Sequence, residues 1–121
     1  HRAGVKMAIV SNKLQPAVDE LYKIWFRDIV AIAVGERPGV SRKPARDMID
    51  IASTALGHDL SDAVYVGDSD VDIATARNAG MPCISVTWGF RDKEDLEKIN
   101  PLRWQISYCQ ISLHPYLPCT R

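Results

Sequence analysis

The segment Ala63-Val64-Tyr65-Val66-Gly67-Asp68-Ser69-Asp70-Val71-Asp72 joins a short apolar run to a turn crowded with carboxylates. A brief, continuous apolar run suits a strand buried on both faces of a parallel sheet. Gly67 lets the backbone turn tightly where that strand ends. Asp68 then sits at the strand tip. A helix over Val71–Ala79 follows, with Gly80 as its stop. Asp72 falls in the first helical turn, four residues after Asp68, so both carboxylates can face one point. Two such groups suit a hard cation held directly and through water. The same letters also fit a helix cap at Ser69 or Asp70, with acids placed to suit the helix dipole. A calcium loop starting at Asp68 is excluded. Its sixth position requires Gly and holds Ile73, and its twelfth requires Glu and holds Ala79.

Working outward, the same alternation repeats. Val5–Val10 reads as a strand. Leu14, Val18, Leu21 and Trp25 follow at helical spacing and predict one buried helix face, with Pro16 in the first turn. Ile29–Val34 reads as a second strand, closed by Gly35. Residues 36–43 form a loop. Pro44 predicts the first turn of a helix, Met48, Ile51, Ala52 and Ala55 its buried stripe, and Gly57 its left-handed stop. Pro82–Trp88 reads as the fourth strand. The order β-α-β-α-β-α-β predicts an α/β fold, a parallel sheet flanked by helices.

In such sheets ligands bind beyond the carboxyl ends of the strands. That rule selects Ser11 and Asn12 after the first strand, Lys43 in the loop after the second, and Asp68 and Asp72 after the third. They are expected to converge on one phosphate-and-cation pocket. The Ser11 hydroxyl and its turn can meet a phosphate oxygen, or simply cap a helix. Asn12 reads as a turn residue and a candidate phosphate contact. Lys43 can offset phosphate charge and steady a carboxylate, or can be a solvated loop residue.

Composition narrows the function. The chain has 121 residues, 46% hydrophobic and 25% charged, as in an ordinary globular domain. Fifteen Lys and Arg balance fifteen Asp and Glu, which argues against a nucleic-acid partner. No apolar run approaches the ~20 residues that span a bilayer. The opening His1-Arg2-Ala3-Gly4 has neither a signal-peptide pattern nor an initiator Met, so a fragment or processed product is expected. Cys83, Cys109 and Cys119 are an odd set without C-x-x-C spacing. They read as plain thiols in a reducing, cytoplasmic setting.

Ser11, Lys43-Pro44 and Gly67-Asp68-x-x-x-Asp72, taken together, resemble the second, third and fourth motifs of the haloacid dehalogenase (HAD) superfamily. Val66–Ser69, Val71–Ile73, Ala79–Pro82 and Val86–Arg91 resemble phosphoglycolate phosphatases in particular. The resemblance spans roughly residues 3–98. It implies a Rossmann-like core and Mg²⁺-dependent hydrolysis of a small phosphorylated metabolite through an aspartyl-phosphate. Carried onto this chain, it makes Lys43 and Asp68 catalytic, Ser11, Asn12 and Lys43 phosphate-binding, and Asp68 and Asp72 metal-binding. The family's Asp-x-Asp nucleophile motif, on its first and central strand, is absent ahead of Ser11, as is the helical cap. The chain alone is therefore expected to be inactive. Residues 1–98 are expected to form a partial core domain. Residues 99–121, which lack Asp, Glu and Lys, read as an atypical tail without the family's short strand and acidic helix. Alternatives are another superfamily member, such as a pyrophosphatase or sugar-phosphate mutase, or a noncatalytic phosphate- or partner-binding fragment. A receiver-like domain would need an acidic pair where Ser11-Asn12 stands.

Overall fold

A computed structural model describes residues 1–99 together with Gln105 and Ile106. The chain divides into two compact units, His1–Ala63 and Val64–Arg121.

In the first unit, β1 (Ala8–Leu14) and β2 (Ile32–Glu36) pair in parallel, Ala8 opposite Ile32 and Val10 opposite Val34. The next pair is Leu14 with Glu36, so β1 carries a bulge after Val10. Bulges re-aim side chains at strand ends. Here the bulge holds Ser11 and Asn12, which the sequence reading placed just past the strand. Helix α1 (Gln15–Leu21) runs into a π-helical turn, Tyr22–Phe26. Gly35 permits α1 to approach β2 closely: a Cβ there would lie 2.8 Å from Gln15 Cα and 2.9 Å from Val18 Cγ2. The Gln15 amide exploits this proximity. Its Oε1 accepts from the Gly35 N–H at 2.7 Å, and its Nε2 donates to the Ala33 carbonyl at 3.2 Å.

Helix α2 (Asp47–Leu56) buries Met48 and Ala52 with Val34, and Ala8, Val10, Ile32, Val40 and Ile51 pack around them. It ends at Gly57, whose φ of 63° is left-handed, as expected.

Two helix expectations need correction. Of the stripe Leu14, Val18, Leu21 and Trp25, only Val18 is buried, and Trp25 is 70% exposed. Leu14 belongs to β1, and the π turn adds a residue to its circuit, so the 3.6-residue spacing does not hold along the segment. Helix α2 begins at Asp47, not Pro44, which follows a cis Lys43–Pro44 bond in the preceding turn. Ile49 is buried and Ala55 exposed, so the buried residues of α2 are Met48, Ile49 and Ala52.

In the second unit, β3 (Tyr65–Gly67), β4 (Cys83–Val86) and β5 (Gln105–Ile106) form a parallel sheet in that order. Helix α3 (Asp70–Asn78) connects β3 to β4, and α4 (Lys93–Ile99) follows β4. Ile73, Ala76, Met81 and Leu96 are buried. Gly80, with φ of 71°, ends the α3 segment as expected.

The α/β class with parallel strands stands. The described strands fall into two sheets, one in each unit. The expectation that no strand forms beyond Ile99 is corrected by β5, whose Gln105 pairs with Ser85. Otherwise the tail from Asn100 onward, with Cys109 and Cys119, lies outside the described residues. Cys83 is buried. Among the described residues no helix is long and apolar enough to cross a membrane.

Candidate active site

In the first unit the bulged end of β1 and the loop before α2 meet through Asn12. Its Oδ1 accepts from the Lys43 N–H at 2.8 Å, and its Nδ2 donates to the Lys43 carbonyl at 3.0 Å. Both groups are partly buried, so neither bond is fully exchangeable with water. Asn12 thus fixes the backbone that carries Lys43, a role for which its amide has both the donor and the acceptor. Ser11 is half-buried beside it, its Oγ accepting from the Lys13 N–H at 3.2 Å. The helix-cap alternative for Ser11 does not hold, because α1 starts four residues later and Leu14 occupies its cap position. Asp47 braces the same loop by accepting from the Ser41 N–H at 2.9 Å, which holds its carboxyl below the usual carboxylate range. Asn12→Ala is expected to lower the stability of the chain by about 1–3 kcal/mol, because the Lys43 N–H and carbonyl lose their partner. Urea unfolding measures this, and an unchanged midpoint would show that the pairing is dispensable.

In the second unit β3 delivers Gly67 and Asp68 to the start of α3. Ser69 caps the helix, its Oγ accepting from the Asp72 N–H at 3.3 Å, so the capping alternative holds for this residue. Asp72 is 6% exposed. Its Oδ1 accepts from the Tyr65 hydroxyl at 2.9 Å. Its Oδ2 accepts from the Ser69 hydroxyl at 2.6 Å and from the Asp68 N–H at 3.2 Å. Asp72 therefore ties strand, turn and helix together. Gly67 is required beneath it, since a Cβ there would overlap the Asp72 side chain, with Cγ 2.6 Å away.

Asp68 behaves differently. Its Oδ2 accepts from the Phe90 N–H at 2.9 Å, while nothing among the described residues engages Oδ1. Asp70 pairs with the Arg91 guanidinium at 2.9 Å, which lowers its pKa. Among the described residues no group of three or more His, Cys, Asp or Glu could cage a metal. Mg²⁺ does not need a cage: it keeps several waters and takes one or two carboxylates plus a substrate phosphate. Asp68 Oδ1 fits that mode, with Asp72 adjacent.

Within units, then, the structure brings Asn12, next to Ser11 in the chain, to the Lys43 backbone, and Asp72 to the Asp68 backbone. Sequence reading missed the roles of Tyr65, Phe90 and Arg91. Tyr65 was read only as a strand residue, although its position before Gly67-Asp68 placed a hydroxyl near the turn. Burial, then the Asp72 charge, pushes the Tyr65 pKa far up. A raised folded-state pKa gives stability that is present below the unfolded value of about 10 and lost as pH rises past it. The chain is expected to lose stability above that pH more steeply than Tyr65→Phe does. Thermal melts from pH 8 to pH 11 in metal-free buffer check this, and parallel curves would refute it.

A family described as HAD-hydrolase-like matches residues 40–107. The chain is 40% identical over 104 residues to a phosphoglycolate phosphatase of Xylella fastidiosa, covering 85% of this chain and 44% of that protein. It is 32% identical over 105 residues to the phosphoglycolate phosphatase of Xanthomonas campestris pv. campestris, covering 86% and 46%. It thus spans less than half the length of these curated relatives. Among solved structures, a Lactobacillus delbrueckii subsp. bulgaricus protein assigned as a phosphoglycolate phosphatase superposes with a TM-score of 0.84 at 42% identity, covering 88% of this chain and 44% of that one. The CbbY structure of Rhodobacter sphaeroides, at 24% identity and a TM-score of 0.70, shares the fold. With a β-turn-α carboxylate motif, a lysine loop anchored to the first strand and this likeness over most of its length, the chain belongs to the HAD-hydrolase-like family and is similar to phosphoglycolate phosphatases.

Proposed function

We propose that this chain is part of a Mg²⁺-dependent phosphatase that hydrolyses phosphoglycolate or a similar small phosphomonoester through an aspartyl-phosphate. The nucleophile would lie outside these 121 residues, since no Asp-x-Asp precedes Ser11. The observation that carries the reading is Asp68, a strand-tip carboxylate with one oxygen held by the Phe90 N–H and the other not engaged among the described residues.

The residues divide the work by chemistry. Asp68 would hold the cation, and Asp72, which orients the turn, would position the ion or its water. Bound Mg²⁺ would supply charge stabilisation for the phosphoryl oxygens. Lys43, on a backbone held by Asn12, would stabilise phosphoryl charge and the attacking carboxylate. The Ser11 hydroxyl donates to a phosphoryl oxygen. A cytoplasmic setting suits the sparse cysteines, three in the chain and without C-x-x-C spacing.

The test is phosphate release by the full-length protein from phosphoglycolate, pyrophosphate and hexose phosphates, with and without Mg²⁺. The expected result is release that prefers phosphoglycolate, stops on chelation and returns with excess Mg²⁺. Release that ignores the chelator sinks the metal assignment. A preference for pyrophosphate moves the substrate to the alternative within the family.

A further inference from the structure

The loop after β4 closes on Asp68 through backbone alone. The Phe90 N–H donates to Asp68 Oδ2 at 2.9 Å, and the Arg91 N–H donates to the Asp68 carbonyl at 3.1 Å. A Cβ on Gly89 would overlap the Asp68 Cβ and carboxylate, so only glycine lets the loop come this near. The Arg91 guanidinium secures the loop from the other side. It pairs with Asp70 at 2.9 Å and lies 5.3 Å from the Phe90 ring centroid. Phe90 itself is 78% exposed, so its ring is not what holds the loop in place.

From this we infer that Gly89–Arg91 is the positioning element for Asp68. The loop fixes Oδ2 and leaves Oδ1 for a divalent cation. The inference rests on the reading of Asp68 as a cation ligand and adds what sets its orientation. A carboxylate that can rotate offers its ion a range of geometries. One pinned by a backbone N–H offers a single oxygen, and less conformational freedom is lost when the ion binds. The positioning is encoded in a missing side chain at residue 89 and a main-chain N–H at residue 90, so the identity of the Phe90 side chain is incidental to it.

The experiment uses the 121-residue chain and Mn²⁺ as the probe, with affinity read by electron paramagnetic resonance and folding by circular dichroism. Gly89→Ala is expected to weaken Mn²⁺ roughly 10–100-fold, the usual effect of removing a group that orients a ligand. Phe90→Ala keeps the N–H and is expected to bind within about twofold of the unmodified chain, well inside that range. Equal affinity in Gly89→Ala overturns the inference. Asp68→Asn tests the underlying reading separately. If that variant binds as tightly as the unmodified chain, Asp68 is not a ligand, and the inference falls with it. Should Gly89→Ala fail to fold, amide hydrogen exchange decides without it. The Phe90 N–H is expected to be protected in the unmodified chain and to lose that protection in Asp68→Ala. Equal protection in both would overturn the positioning role.

Discussion

Asp68→Asn is expected to lower phosphate release by the full-length protein roughly 10³-fold, because a metal acting as Lewis acid supplies several kcal/mol of transition-state stabilisation. The substitution is nearly isosteric. The Asn side chain keeps an oxygen that can accept from the Phe90 N–H, the one side-chain bond that Asp68 makes among the described residues. What it removes is the negative charge. The melting temperature of the variant is therefore expected to stay within a few degrees of the unmodified protein, as for a surface change worth under about 0.5 kcal/mol. Loss of turnover with an intact melt identifies a residue of the reaction. Undiminished turnover would take Asp68 out of the site.

Asp72→Ala is expected to do the reverse, destabilising the 121-residue chain by roughly 3 kcal/mol or more, since each buried donor left without a partner costs about 1–3 kcal/mol. Three donors converge on this carboxylate: the Tyr65 hydroxyl, the Ser69 hydroxyl and the Asp68 N–H. They come from the strand, the helix cap and the turn, so the loss is felt by the whole β3–α3 connection. Asp72→Asn keeps one accepting oxygen and is expected to lose less. Urea unfolding of the two variants ranks them. An Ala variant as stable as the unmodified chain would show that solvent satisfies those donors and that Asp72 has no structural duty. The two aspartates of one motif would thus separate by assay, Asp68 in turnover and Asp72 in stability.

Much of this was legible in residue order. The run Ala63–Val66, the glycine at 67 and the acids at 68 and 72 gave strand, turn and helix within a residue or two of their observed bounds. Gly57 and Gly80 marked their stops because left-handed backbone excludes most side chains, a constraint local to the residue. Met48 and Ala52 reached the core for an equally local reason, the helical period. The Leu14–Trp25 stripe failed where that period failed, at a strand end and a π turn that no pattern of apolar letters announces.

Contacts made by backbone groups across long stretches of chain were out of reach in the sequence. Asn12 grips the main chain of Lys43, 31 residues away, and the Phe90 N–H reaches Asp68, 22 residues away. Every residue except proline carries the same N–H and carbonyl, so no letter singles out these partners. A bulge in β1 and the close approach of Gly89 select them, and both exist only once the strands have paired and the loops have settled against their neighbours. Residue types announced the chemistry of the site, whereas the orientation of its carboxylates came from folded backbone.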